Sequence, residues 1–304
     1  MVIINICFSG NVRKNMGGER GKTMKTTKAI IFFLCFCMIQ SAAAAAKLED
    51  EHTPISFKVE MLPWKQVNEV LPNKSKFTVI DVETGLHFRV QRRAGNRHAD
   101  VQPLTREDTK IMKKIYNGKW SWKRRAIIVL SHDQMIAASM HGMPHGAGAL
   151  INGFPGHFCI HFAGSTTHRS GRADVSHEMM ILKAAGKLEE YLQYADPYQV
   201  VNTFTVAVNQ QDASMLDMVI TNPSKANKLH RAVSRIESIR FANLPSRSQK
   251  NTSELLCMEF ALKADLYLRE EGKSKKTVRF IMRRDHVADR WRIDSTALLE
   301  SFTK

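Results

Sequence analysis

The sequence predicts a mainly β domain followed by an α+β domain. Between residues 77 and 140, apolar and polar residues alternate in short runs bounded by turn residues, the period of half-buried strands. After Val175 the apolar spacing becomes helical, and long alternating runs return only beyond residue 255. A chain of 304 residues has room for both domains and a leader.

The leader comes first. Lys25 and Lys28 precede the apolar run Ala29 to Ile39, and alanines 42–46 supply an A-x-A cleavage site. This pattern predicts a secretory signal peptide over 1–46, with Met24 as its start. The apolar run is shorter than the ~20 residues a membrane span needs, so no span is expected after cleavage. Cys35 and Cys37 lie inside that run, without the small residues that precede a lipidated cysteine. The formal charge is +16; residues 1–46 carry six Lys/Arg and one Glu, so the remainder is +11. In an exported, cell-wall or otherwise extracytoplasmic protein, such a basic surface suits anionic cell-wall polymers. No nucleic-acid-binding motif is present, so nucleic acid is not an expected partner. Only Cys159 and Cys257 lie beyond the leader, which excludes a disulfide scaffold.

In chain order, Phe77–Val82, the turn Thr84-Gly85 and Leu86–Gln91 predict a hairpin. Thr105 with Asp108 predicts a capped helix start. Ile111, Met112 and Ile115 form its buried face, and Asn117-Gly118 its stop. Ala126–Leu130 and Ile136–Met140 are two further strands around the turn at 131–134. The glycine-rich loop 142–156 then leads into a strand at Gly156–Phe162. Glu178–Ala195 reads as one helix, and Asp196-Pro197 starts another, with Asp as cap and Pro at the first helical position. Strands at 255–267, 277–283 and 290–294 complete the chain, with the domain boundary expected near Ala195 (47–194 and 195–304).

The chemistry concentrates at His141-Gly142 and Gly156-His157-Phe158-Cys159-Ile160-His161. Strand alternation puts His157, Cys159 and His161 on one face and Phe158, Ile160 and Phe162 toward a core. A free thiol titrates near ~8.5, so it needs a neighbouring base to act as a nucleophile at neutral pH.

The segment from Phe77 to His168 resembles the L,D-transpeptidase catalytic domain. That family's signature is a His-Gly pair, 14–17 residues, then Ser/Thr-His-Gly-Cys with Arg or Asn two positions on. Here 14 residues separate His141 from Gly156, and Cys159 lies 18 positions after His141. Gly156 stands in place of Ser/Thr, Phe158 in place of Gly, and His161 in place of Arg or Asn. The resemblance implies a β-sandwich and an exported, peptidoglycan-modifying cysteine transferase acting on stem peptides, with no cofactor. Cys159 would be its nucleophile and His141 its base. His157 would help bind the oxyanion, and Gly142, His145, Phe158 and His161 would line the substrate site. Phe158 would add bulk where the donor peptide approaches. A cell-wall-binding protein that kept the β domain and lost turnover is the non-catalytic alternative.

A zinc-dependent peptidoglycan peptidase (a hydrolase) is the other alternative, with His157, His161, His168 and Asp174 as ligands. His168 to Asp174 resembles the His-x-x-Gly-x-Ala-x-Asp motif of D-alanyl-D-amino-acid peptidases, one residue short. That family's later Glu-x-x-His has no counterpart after Asp174. His98-Ala99-Asp100 reads as a turn pair, and Trp120 to Arg125 as an aromatic brace before a strand. The C-terminal part resembles a nuclear-transport-factor-2-like fold through Asp196 to Val208, Gln211-Asp212 and Trp291 to Asp294. It is assigned an accessory binding role.

Overall fold

The computed structural model describes residues 58–167, 173–248 and 251–303. The leader predicted over 1–46 and His168 lie outside the described residues. Mixed α+β architecture holds throughout.

The first half is a barrel. Its strands are β1 (Val59–Glu60), β2 (Lys76–Asp81), β3 (His87–Ala94), β4 (Ala99–Pro103), β5 (Arg124–Ser131), β6 (Gln134–His141) and β7 (Phe158–His161). They run in the order β1-β6-β5-β2-β3-β4-β7, and β7 also pairs with β6 through Ser139↔His161 and Met140↔Ile160. That pairing closes six antiparallel strands into a ring, leaving β1 as a parallel addition to β6. The expected sandwich is therefore a closed barrel, with one inward core in place of two facing sheets. Val79, Val90, Val101, Val129, Ala138, Phe158 and Ile160 fill it from alternate positions. Helices α1 (Trp64–Val70) and α2 (Arg106–Ile115) add Val67 and Met112 to the same core.

Local signals act as the sequence predicts in this half. Thr105 and Asp108 form a capping box on α2. Asn117 and Gly118, both at positive φ, end it. Strand β4 differs from the turn that the sequence predicts around His98 to Asp100. Ala99 and Val101 face the barrel core while Asp100 and Gln102 alternate with them, and all four are buried. Buried polar residues at the alternate positions hide the strand from a hydrophobicity pattern.

The second half comprises α3 (Val175–Ala184), α4 (Leu188–Tyr194), α5 (Pro197–Gln210), α6 (Ala213–Val219), α7 (Asn227–Ser234), β8 (Ile236–Phe241), β9 (Cys257–Leu268), β10 (Gly272–Arg283), β11 (Arg292–Ile293) and α8 (Ser295–Thr303). Strands β8 to β11 make one antiparallel sheet in the order β11-β10-β9-β8. The single helix expected over 178–195 breaks into α3 and α4 at Gly186, whose φ is +67°. Asp196 caps α5 with Pro197 at its first turn, as predicted.

Helix α3 positions the site. It lies across the outside of β5 and β6, and it shares a second core with the outward Ala126 and Ala137, helices α4 to α8 and the four-stranded sheet. Arg125 on β5 pairs with the fully buried Asp81 at 2.6 Å and with Glu83 at 2.8 Å. Lys183 of α3 joins Glu83 to Asp212, so charges tie the barrel wall to the helical layer. Among the described residues no helix is long and apolar enough to cross a membrane.

Candidate functional site

Barrel register brings the chemistry together. Where Phe158 and Ile160 point inward, Cys159 and His161 must point outward. Asp100 of β4 is the register partner of Cys159, and Ser139 of β6 is the partner of His161. His141 follows Ser139 on the same face of β6. One outer row therefore carries Asp100, Cys159, His161, Ser139 and His141. Helix α3 covers part of it: His177 Nδ1 lies 2.9 Å from Ser139 Oγ, and its ring stacks on His161 with centroids 3.8 Å apart. His98 stacks on the other side of His161 at 4.6 Å.

The loop 142–157 covers the rest. The main chains of His145 and His157 exchange two hydrogen bonds of 2.9 Å, folding the loop back onto the strand. Gln102 Oε1 accepts from the Ala149 and Leu150 amides, anchoring the loop tip to β4. Gly146 sits at φ +59°, where a Cβ would come within 2.4 Å of the His157 ring. Only glycine lets the two histidines lie so close.

The base nearest the thiol is His145. Its Nε2 lies 3.2 Å from Cys159 Sγ, while its Nδ1 lies 3.1 Å from the Met143 carbonyl oxygen. A carbonyl only accepts hydrogen bonds, so Nδ1 carries the proton and Nε2 offers a lone pair to the thiol. Asp100 Oδ1, 3.6 Å from Sγ, is the alternative acceptor of that one thiol proton, and it faces His98 Nε2 at 3.2 Å and His157 Nε2 at 3.8 Å.

The remaining expected residues fall in distinct places. His141 is buried behind His145, ring centroids 5.2 Å apart, under the half-exposed Trp122. Gly142 packs against Tyr116, whose ring would lie 2.4 Å from any Cβ there. Phe158 lies in the barrel core against Phe88 and Phe154, on the opposite side of the strand from the thiol. It adds no bulk to the approach. His157 flanks Cys159 and Asp100, and His161 lies beneath them, fully stacked. Asp174 caps α3 and pairs with Arg124 at 2.7 Å. Among the described residues it belongs to neither group of candidate ligand atoms. Trp120 braces Phe154 edge-on, as the sequence suggests.

The electrostatics favour the neutral forms of His141, His177 and Cys159. Burial, with His145 and Arg124 adding repulsion, holds His141 well below the usual imidazole range. Burial and the neighbouring His161 and Arg124 do the same to His177. Burial pushes the Cys159 thiol up, and the Asp100 charge and hydrogen bond push it further. The resting sulfur is therefore a thiol, and its proton must leave during reaction. Replacing Asp100 with Asn removes a raising charge, so the thiol pKa falls and the thiolate fraction at fixed pH increases. Iodoacetamide labelling of Cys159 at pH 8 is expected to accelerate severalfold, up to about tenfold. An unchanged or slower rate would contradict the assigned role of Asp100.

Among the described residues, two groups of ligand atoms could hold a metal ion: His98, Cys159 and His161, and His141, His145 and Cys159. In each, the donor atoms lie within 4.8 Å of one another. Both contain Cys159. Sequence reasoning missed His98, Asp100 and His177 as members of the cluster. Only the His-x-Asp pair at 98–100 carried a signal, and only once β4 is known to be a strand.

The site defines a buried thiol–imidazole centre on the outer wall of a small barrel. The chain matches no family model, no curated protein and no solved structure.

Proposed function

We propose that the protein is an exported cysteine acyl-transferase of the L,D-transpeptidase type, acting on peptidoglycan stem peptides. The observation that carries this reading is the 3.2 Å approach of Cys159 Sγ to His145 Nε2, with His145 Nδ1 held by the Met143 carbonyl. Geometry of that kind lets the imidazole take the thiol proton as sulfur attacks. His145 thus replaces His141 as the proposed base.

In the first step Sγ bonds to the peptide carbonyl carbon and its proton passes to His145 Nε2. The C–N bond then breaks, the same proton leaves with the departing amine, and a thioester remains on Cys159. In the second step an acceptor amine attacks the thioester, gives a proton to His145, and regenerates the thiol when the C–S bond breaks. His157, beside Cys159 and Asp100, is the proposed oxyanion partner in its imidazolium form, because the Ala147 carbonyl takes the Nδ1–H and only the protonated ring keeps an Nε2–H to donate. His145 and His157 are the partly exposed members of the cluster, so substrate would approach from their side. Secretion through residues 1–46 and a basic surface suit a substrate in an anionic wall.

A zinc-dependent peptidase on the same peptides is the second reading, favoured by the two ligand groups that meet at Cys159. It uses Cys159 as a ligand in place of a nucleophile. Incubation with a disaccharide-tetrapeptide tests the first reading. The expected result is release of the terminal D-amino acid that survives chelators and is absent from Cys159→Ala. Release abolished by chelators would favour the peptidase. Tight binding without release would identify a wall-binding protein.

A further inference from the structure

Three imidazoles around Cys159 share one construction. His98, His145 and His157 each hold Nδ1 against a main-chain carbonyl, those of Thr166, Met143 and Ala147, at 2.8, 3.1 and 3.0 Å. Each then turns Nε2 toward Cys159 Sγ or Asp100 Oδ1. A single dyad needs one such histidine. Of the three, His145 aims at the sulfur, and fixing one ring nitrogen on a carbonyl while aiming the other at the ligand cluster is how proteins hold metal-ligating histidines. Moreover, the 3.2 Å between Sγ and His145 Nε2 is near the ~3.5 Å that separates nitrogen and sulfur ligands around a tetrahedral ion, with bonds of about 2.0 and 2.3 Å.

His141 supplies a third donor. Its ligand atom lies within 4.8 Å of those of His145 and Cys159. The residue is 4 % exposed, and its Nδ1 is buried with no hydrogen-bond partner among the described residues. Leaving a buried ring nitrogen unpaired is costly, and an ion bound at that nitrogen removes the cost. His145 is partly exposed, so this group keeps a side from which an ion and a fourth ligand can enter, unlike the fully buried His98–Cys159–His161 group.

We propose that Cys159, His141 and His145 bind one transition-metal ion of the zinc type, through a thiolate and two neutral imidazoles. One sulfur and two imidazole nitrogens form a borderline-soft donor set that suits such an ion better than magnesium or calcium. On binding, the S–H bond breaks, a sulfur–metal bond forms, and the proton leaves to solvent. Metal binding stands independently of the acyl-transfer reading. A corollary rests on that reading: the ion and the acyl group compete for one sulfur, so an occupied site is silent toward peptide.

Cobalt(II) titration of the chelator-stripped full-length protein, without substrate, tests the proposal. The expected result is one equivalent bound, with an intense thiolate-to-cobalt absorption that zinc displaces. Cys159→Ser abolishes the band. His141→Gln and His145→Gln each weaken binding by about tenfold or more. His161→Gln and His230→Gln, the latter in a separate pair with Asp217, leave it intact. Circular dichroism confirms the fold of each variant, and His145, on the partly exposed loop, serves where the buried His141 variant does not fold. Absence of the band in folded wild type overturns the proposal. So does a band that survives His145→Gln but is lost with His161→Gln. Because the readout needs no peptide, its failure leaves acyl transfer standing, and the converse also holds.

Discussion

Replacing His145 with Gln is expected to slow acylation of Cys159 by about 10²- to 10⁴-fold, the usual contribution of a positioned general base. The reason is local. Burial and Asp100 keep the sulfur protonated, so attack requires a proton acceptor at the moment the bond forms. His145 Nε2, at 3.2 Å, is the imidazole nitrogen in hydrogen-bonding contact with Sγ. Iodoacetamide alkylation forms no oxyanion and expels iodide, which needs no proton, so its rate should change far less than that of acylation in the same variant. Equal losses in both would mean that His145 only shapes the site. A larger acylation loss from His141→Gln than from His145→Gln would return the base to the position the sequence first suggests.

Replacing Phe158 with Ala is expected to destabilise the protein by about 3–5 kcal/mol and to give no gain in acylation. Phe158 is fully buried in the barrel among Phe88, Phe154 and aliphatic strand residues. Truncation therefore leaves a cavity beneath the strand that carries the thiol. If the side chain instead blocked the donor peptide, the same change would raise activity at little cost in stability. Thermal denaturation beside acylation rates separates these outcomes.

The local rules carried much of the fold. Thr105 with Asp108 and Asp196 with Pro197 satisfy main-chain amides within one turn, so their helix starts are readable without tertiary context. Ring closure is different. The β6–β7 pairing joins Ser139 to His161 across the long loop, a contact that no periodicity encodes. Strand β4 is hidden because Asp100 and Gln102 are buried for the sake of the thiol and the loop, against the usual trend for polar residues. The break at Gly186 is legible in principle, since glycine at positive φ ends helices, but the apolar spacing runs through it.

The site is half legible. Cys159 stands out because its strand alternates, and His157 and His161 follow from it. Choosing between His141 and His145 is a matter of loop geometry. Both precede the thiol, and only the double hydrogen bond between the main chains of His145 and His157 swings the later one over Sγ. His177 arrives from α3, a helix whose sequence points only to packing. Four separate segments meet there, and pattern reading treats each alone.

The most direct measurement is intact and peptide-level mass spectrometry of the purified protein mixed with a disaccharide-tetrapeptide and quenched at short times. The proposed mechanism predicts a hydroxylamine-sensitive adduct on Cys159 that equals the peptide minus its terminal residue. It should form far more slowly in His145→Gln. An unmodified Cys159 while peptide is turned over, or an adduct that forms at the same rate without His145, would contradict it.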